Sequence, residues 1–388
     1  MVQSDRKTKE YHGFEQGPIR PPSEAQSLLI RVTRNCPWNR CTFCPVYKDT
    51  DFSIRPVADV KTDIDAVHFV IDALKKKADA AGRLQRHQVD EIARGMKPED
   101  TAVLNAALQW YATGMQSIFI QDANSLVIRP EDMIDILSHL NNRFPWVERI
   151  TSYARSHTIA RISDEHLKTM RMAGLNRIHI GLESGSDEVL KLIKKGVTKD
   201  THIKAGIKVK TAGMSLSEYV MPGLGGKALS RTHALETADA LNQINPDFIR
   251  LRTLAIPEFI PMYEDVVAGN IEKSSDIDMV REILLFIQHL DGITSEVKSD
   301  HILNLFQEVE GKLPDDKAAM EGVLKTFLSM DGRRQTLYQV GRRLGIFNCL
   351  EDMNSPRRMD RVASFCDQHR ITDDNVDEVV EELMKRFI

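Results

Sequence analysis

The sequence predicts an α/β fold built on parallel strands, and three observations carry that prediction. Six short apolar runs rich in β-formers alternate with helix-length patterns between residues 28 and 254. The runs are bounded by turn or polar residues, as buried parallel strands are. Gly114, Gly174 and Gly213 each close a helical pattern shortly before the next run, the position glycine favours just past a helix end. Repeated strand-then-helix units build a parallel sheet. Periodicity alone does not separate an open doubly wound sheet from a barrel.

The six runs are Leu28–Thr33, Ser117–Gln121, Arg149–Tyr153, Arg177–Gly181, Ser215–Met221 and Phe248–Leu254. Helices are expected near residues 61–79, 98–113, 131–143, 163–173, 186–195, 200–212 and 231–243. Ser163 ahead of Asp164 and Glu165, and Ser186 ahead of Asp187 and Glu188, have the chemistry of helix caps. Residues 1–26 are polar and carry Gly13, Gly17, Pro18, Pro21 and Pro22, which predicts an extended strap. Past Tyr263, residues 275–291, 299–310, 315–330, 332–345 and 356–388 read as helices with no strand run among them. Ser299, Asp300 and Asp315 are candidate caps there. The expected organisation is a strap over 1–26, an α/β domain over 27–265 and a helical domain over 266–388.

With 388 residues, 42% of them hydrophobic, the chain can bury a sizeable core. A net charge of -4 argues against a dominant phosphate-binding surface. Five cysteines with no regular framework do not read as disulfides. No apolar run approaches the ~20 residues of a membrane span. The polar start, Met1 to Glu10, has no apolar signal core. A soluble, cytoplasmic protein is expected. No Ser-His-Asp or paired-carboxylate order emerges, so hydrolysis has no support.

The chemistry concentrates in Arg34-Asn-Cys-Pro-Trp-Asn-Arg-Cys-Thr-Phe-Cys-Pro45. Cys36, Cys41 and Cys44 lie within nine residues, while Cys349 and Cys366 are about three hundred residues away. A helix does not explain the triplet, because eight residues at 1.5 Å rise spread the sulfurs by about 12 Å. Pro37 and Pro45, with Asn35 and Asn39, favour a compact loop instead. Three thiolates that close suit an iron–sulfur cluster or zinc, both of which ordinarily take four protein ligands. Only three are present, which implies a cluster with one open iron.

This loop resembles the cluster loop of the radical S-adenosylmethionine (SAM) superfamily. The family's commonest spacing is Cys-x3-Cys-x2-Cys with an aromatic before the last cysteine; here Phe43 holds that place and the first interval is one residue longer. The resemblance implies a [4Fe-4S] cluster on Cys36, Cys41 and Cys44, SAM chelated to the open iron, and a 5′-deoxyadenosyl radical that abstracts hydrogen from a substrate. It also implies a reducing partner such as flavodoxin or ferredoxin. For the fold it implies a partial (β/α)6 TIM-like barrel over residues ~25–265, with the C-terminal helical domain packed on it and catalytic groups at the strands' carboxyl ends.

At those ends stand the remaining candidates. After the second run, Gln121-Asp-Ala-Asn-Ser occupies the family's Gly-Gly-Glu position, with Asn124 where the Glu falls and Asp122 able to supply its charge toward the SAM amino group. An Asp/Asn turn capping the next helix is the plain alternative. After the fourth run, Ile180-Gly-Leu-Glu-Ser-Gly-Ser186 is similar to segments of the branch holding oxygen-independent coproporphyrinogen oxidases, elongator-type enzymes and methylthiotransferases. Glu183 and Ser184 would then face the ribose or methionine part of SAM. The fifth run ends in Met221-Pro-Gly-Leu-Gly-Gly-Lys227, where Gly223 and Gly225 allow close approach of a ligand or make a plain turn. Arg250 and Arg252 share one side of the sixth strand; one could hold a carboxylate of SAM or of the substrate, the other pair with a core Glu. His233 with Glu236 reads as a surface pair.

Three functions compete. A radical SAM enzyme acting on a small molecule leads, with modification of tRNA or another macromolecule as its variant. A structural zinc knuckle, with His12 or His68 as fourth ligand, lacks the second Cys-x2-Cys pair such sites use. A four-cysteine electron-transfer protein lacks the fourth cysteine. With no second cysteine cluster, auxiliary iron–sulfur centres are not expected, and no cobalamin domain is expected ahead of Cys36.

Overall fold

A short antiparallel pair and two sets of parallel strands carry the helices of this chain. The computed structural model describes residues 11, 13–97 and 100–387. His12 and the first ten residues of the strap lie outside the described residues. The chain forms two compact units. One comprises residues 1–37, 51–153 and 168–176, the other residues 38–50, 154–167 and 177–388.

Strands β1 (Leu28–Arg31), β2 (Thr33–Arg34), β3 (Ser53–Ile54), β4 (Ser117–Gln121) and β5 (Arg149–Ala154) serve the first unit. β1 pairs parallel with β4, and β4 parallel with β5. β2 and β3 form the antiparallel pair. The helix Val57–Lys77 buries Val60, Ile64, Val67, Ile71 and Leu74 completely. Their spacing of three and four makes one apolar stripe, and each side chain contributes about 2 kcal/mol by leaving water. Lys75, Lys76 and Lys77 end that helix, where positive charge suits the carbonyl end.

The predicted strap is extended and tied down by side chains. Gln121 Oε1 accepts from the Gly17 amide at 2.7 Å, and its Nε2 donates to the carbonyls of Gly17 and Ile19. Glu15 ties the strap more strongly. Its carboxylate lies 2.6 Å from Arg34, 2.9 Å from Arg55 and 3.3 Å from Arg31.

In the second unit, β6 (Leu175–Glu183), β7 (Ser215–Val220), β8 (Phe248–Leu251) and β9 (Glu296–Lys298) pair parallel in chain order, and β10 (Gly311–Lys312) runs antiparallel to β9. Helices Lys199–Thr211 and Gly226–Ile244 connect β6 to β7 and β7 to β8. The α/β class with parallel strands is therefore as expected. All six predicted runs are strands, and Ser163 and Ser186 cap their helices through His166 N and Val189 N. Gly174 and Gly213 take positive φ of 103° and 77° at helix ends.

Past Tyr263 the chain departs from the expectation in two places. β9 and β10 interrupt the helices; at three and two residues they are too short to show alternation in the sequence. Residues 299–310 form turns rather than a helix. There the Asn304 amide donates to the Leu251 carbonyl and Ser299 Oγ, while its Oδ1 accepts from Thr253. Asn304 thus fixes this segment against β8 and the residues just after it. Asp315 is not a cap; the Lys317–Leu328 helix follows Asp316, whose carboxylate takes the Lys312 amide. Five helices of nine to fourteen residues do follow: Asp276–His289, Lys317–Leu328, Gly332–Arg343, Pro356–Gln368 and Val376–Met384.

Candidate active site

The cysteine loop bends where its asparagines stand. Asn35 and Asn39 adopt positive φ of 66° and 40°, a conformation asparagine tolerates better than most residues. In the first unit, Asn35 donates to the Asp51 carbonyl at 2.6 Å and its amide reaches Asp122 Oδ2 at 3.3 Å, bracing the residue ahead of Cys36. In the second unit, Asn39 Nδ2 donates to the Tyr47 carbonyl, and Lys48 Nζ donates to the Cys41 carbonyl at 2.8 Å. All five cysteines are thiols with no disulfide among them. Among the described residues no group of three or more His, Cys, Asp or Glu side chains is arranged as a ready metal site.

Cys41 and Cys44 pack against an apolar wall of Phe43, Val189, Ile193, Leu254, Ile256 and their neighbours. Two backbone bonds seat this part of the loop: Thr42 N donates to the Ile193 carbonyl, and Met262 N to the Thr42 carbonyl. Leu254 and Ile256 also line a cavity of about 720 Å³ bounded by Phe259, Ser274, Met279 and Met384. That volume is within the range of small-molecule sites.

The end of β6 combines a strained backbone with a buried ion pair. Its register with β7 shifts between Gly181 and Glu183, and Glu183 takes φ of 63°. A non-glycine residue held there costs about 1–3 kcal/mol and marks functional sites. The Glu183 carboxylate pairs with Lys195 Nζ at 3.0 Å, and Lys195 lies 5.7 Å from the Phe43 ring centre. Burial pushes the Lys195 ammonium down, but Glu183 and Cys41 outweigh it and hold it above its ordinary value. His202, buried and bonded to Ser156 Oγ at 2.6 Å, is pushed down to about 3 by burial and by the Lys195 and Arg155 charges. Glu218 on β7 is completely buried, and neither of its oxygens has a hydrogen-bond partner among the described residues. Burial, then Glu183, raises its carboxyl well above the usual value against the pull of Lys195.

The family model of the radical SAM superfamily matches residues 30–236, more than half of the chain. The chain belongs to the radical SAM superfamily. It is similar to a tRNA uridine(34) acetyltransferase of Methanocaldococcus infernus, 19% identical over 258 residues that make 64% of this chain and 46% of that protein. It is also similar to the 4'-phospho-dehydrooxetanocin synthase of Priestia megaterium, 26% identical over 225 residues, 55% of this chain and 26% of that one. The chain thus spans less than half the length of these two relatives. Among solved structures, coproporphyrinogen III oxidase from Escherichia coli matches with a TM-score of 0.45 at 15% identity, covering 68% of this chain and 52% of that one.

Radical SAM proteins are enzymes that bind SAM and an iron–sulfur cluster, and the expected contact residues stand as follows. Phe43 is buried in the wall behind Cys41 and Cys44. Asp122 is fully buried with φ of 71°, and its Oδ2 already takes Arg31 Nε at 2.6 Å. Asn124 is buried and opens a short 3-10 turn rather than the next long helix. Ser184 is buried, and its Oγ accepts from the Ser186 amide at 3.0 Å. The glycine turn is internally bonded: the Gly223 amide donates to Glu282 at 2.7 Å, and Gly226 N to the Gly223 carbonyl, so Gly223 gives no amide to an anion. Gly225 precedes the Gly226–Ile244 helix. Arg250 is paired with Asp300, not with a Glu.

His233 is not a surface residue. It is 1% exposed, with Nε2 3.2 Å from the Glu183 carbonyl and Nδ1 3.1 Å from Glu282, while Glu236 pairs with Lys199 instead. His68 lies with its ring 5.8 Å from Phe144 in the first unit; His12 lies outside the described residues. Sequence reasoning missed Lys195, Glu218 and His202. Only Lys195 had a signal: the Lys194-Lys-Gly196 stretch that follows the Glu183 segment in the sequence, to which no role was given.

Proposed function

We propose that this chain is a radical SAM enzyme that abstracts hydrogen from a small-molecule substrate in a cytoplasmic setting. Cys36, Cys41 and Cys44 would hold the [4Fe-4S] cluster; a donor set of soft thiolates alone fits iron–sulfur chemistry. When bound, the reduced cluster and SAM supply the electron and the 5′-deoxyadenosyl radical. The chain's own residues position and shield that pair. The apolar wall behind Cys41 and Cys44 keeps water from the cluster side of the loop. Lys195 sets a positive charge beside Cys41. Glu183, Ser184, Asp122 and Asn124 would meet the polar part of SAM, with Phe43 and the Gly223–Gly225 turn against its apolar part.

The observation that carries this reading is the three-cysteine loop, seated by Thr42 and backed by Phe43, inside the matched residues 30–236. The cavity of about 720 Å³ sharing that wall supports a small-molecule substrate. Anaerobic reconstitution tests it: a brown protein that forms 5′-deoxyadenosine from SAM on reduction is expected. A colourless protein with one zinc per chain would end it. Loss of iron in Cys36→Ser, Cys41→Ser and Cys44→Ser, with Cys349→Ser unaffected, assigns the ligands.

The second reading, modification of tRNA, draws on the likeness to the tRNA uridine(34) acetyltransferase. The net charge of -4 weighs against it. Tight RNA binding that falls steeply with salt would reverse that judgement.

A further inference from the structure

On one face of the second unit's strands the charges do not balance. The register sets Gly181 of β6 beside Tyr219 of β7, and Tyr219 beside Arg250 of β8. Arg250 is spent: it pairs with Asp300 and donates from Nε to Ser217 Oγ at 3.2 Å. Lys298 of β9, in register with Arg250, pairs with Glu296 at 2.6 Å. Arg252 continues the ladder through its amide to the Val220 carbonyl and, two residues on from Arg250, falls on the same face. Its guanidinium lies 4.7 Å over the Tyr219 ring and has no carboxylate partner among the described residues.

A partly buried guanidinium without a counter-charge is costly unless something else supplies the acceptor. Stacking on Tyr219 fixes the plane of the fork while leaving its N–H edge open, the state in which arginine grips a planar oxyanion with two bonds. A second unsatisfied group stands in the neighbouring loop: His301 Nδ1 is buried and without a hydrogen-bond partner among the described residues. Burial first, and then the Arg252 charge, push this imidazole down to about 4, so it is neutral at physiological pH and able to donate one bond. Asp300, the acid nearest in sequence, is paired with Arg250, which offsets its charge toward an incoming anion.

We propose that Arg252, braced by Tyr219 and joined by His301, is the anchor for a carboxylate or phosphate group of the substrate. It rests on the radical SAM reading only for what the bound molecule undergoes, not for the binding itself. The substrate class is therefore an anionic small molecule, held by its oxyanion at the strand ends beside the Glu183 corner.

The test uses the reconstituted, SAM-bound holoenzyme with orthophosphate and acetate as probes, titrated calorimetrically. One site per chain is expected, at least tenfold weaker in Arg252→Gln, intermediate in Arg252→Lys, and about threefold weaker in His301→Ala. Preference for phosphate over acetate, or the reverse, identifies the group carried. SAM affinity is measured in the same variants. Undiminished probe binding in Arg252→Gln, no probe binding by the parent protein, or a loss of SAM affinity as large as the loss of probe affinity would each overturn the assignment. A parent protein that binds the probes yet forms no 5′-deoxyadenosine would instead defeat the enzymatic reading and leave the anion site standing.

Discussion

Lys195 Nζ stands 3.0 Å from Glu183 Oε1 and within cation–π reach of Phe43, so one ammonium links the corner at the end of β6 to the cysteine loop. Both side chains are 12% exposed, which makes this a largely buried pair. Removing one partner strands the other. Lys195→Met should cost about 2–4 kcal/mol, read from urea unfolding of the metal-free protein. The double variant Lys195→Met/Glu183→Leu should cost less than the sum of the singles. Strict additivity would mean the two charges do not support each other.

The two glycines flanking that corner should differ sharply. A Cβ at Gly181 meets the ends of the Glu183 and Lys195 side chains, which can shift together as a pair without moving any backbone. A Cβ at Gly185 meets the backbone of Glu236 and Thr237, so the Gly226–Ile244 helix itself must move. Gly185→Ala should therefore destabilise by about 3 kcal/mol or more, as overpacking against fixed backbone does, and Gly181→Ala by about 1 kcal/mol. The reverse order in thermal melts would refute this packing.

Glu218 makes stability depend on pH in an unusual direction. The folded protein holds this proton more tightly than the unfolded chain does, since burial and Glu183 raise the carboxyl. Its contribution is complete below the ordinary carboxylate value and is lost as pH rises toward the folded value, at up to about 1.4 kcal/mol per pH unit. Glu218→Gln keeps the shape and removes the titration. Between about pH 5 and pH 8 the variant should lose less stability than the parent. Parallel melting curves for the two would eliminate Glu218 as the source.

Glu15 behaves in the opposite sense. Burial pushes its carboxyl up, but the bonds from Arg34 and the charges of Arg55, Arg34 and Arg31 outweigh that and hold it below its usual value. Its contribution is present above the ordinary carboxylate value and is lost as pH falls through the lowered one. Glu15→Gln should cost about 1–2 kcal/mol and speed hydrogen exchange at the Gly17 amide, which Gln121 holds. Unchanged exchange there would show the strap to be held without its carboxylate.

What the sequence disclosed follows a physical division. The strands were legible because Ile118, Phe119 and Ile120, or Ile178 and Ile180, form continuous buried runs that only a covered parallel sheet requires. The loop was legible because cysteine spacing is itself chemistry. β9 escaped notice because three residues carry no period, and residues 299–310 misled because Asn304 ties them across to Leu251 and Thr253, a tertiary contact that local helix signals do not carry. Lys195, Glu218 and His202 were hidden for another reason. Their character arises from tertiary burial, and a lysine or glutamate that will be enclosed is spelled like one that will be hydrated. His233 was misjudged the same way, its neighbour Glu236 turning to Lys199 while the imidazole went inward.

Trp38, between the first two cysteines, is clamped by its own surroundings. Its Nε1 donates to the Lys194 carbonyl at 2.8 Å, and the Arg40 and Arg155 guanidinium carbons lie 5.1 and 5.0 Å from its ring. An indole so fixed, inside the very loop that would receive iron, is a built-in optical gauge. Its emission should dim as the metal centre is assembled and recover as oxygen dismantles it, and Trp38→Phe should remove that part of the signal.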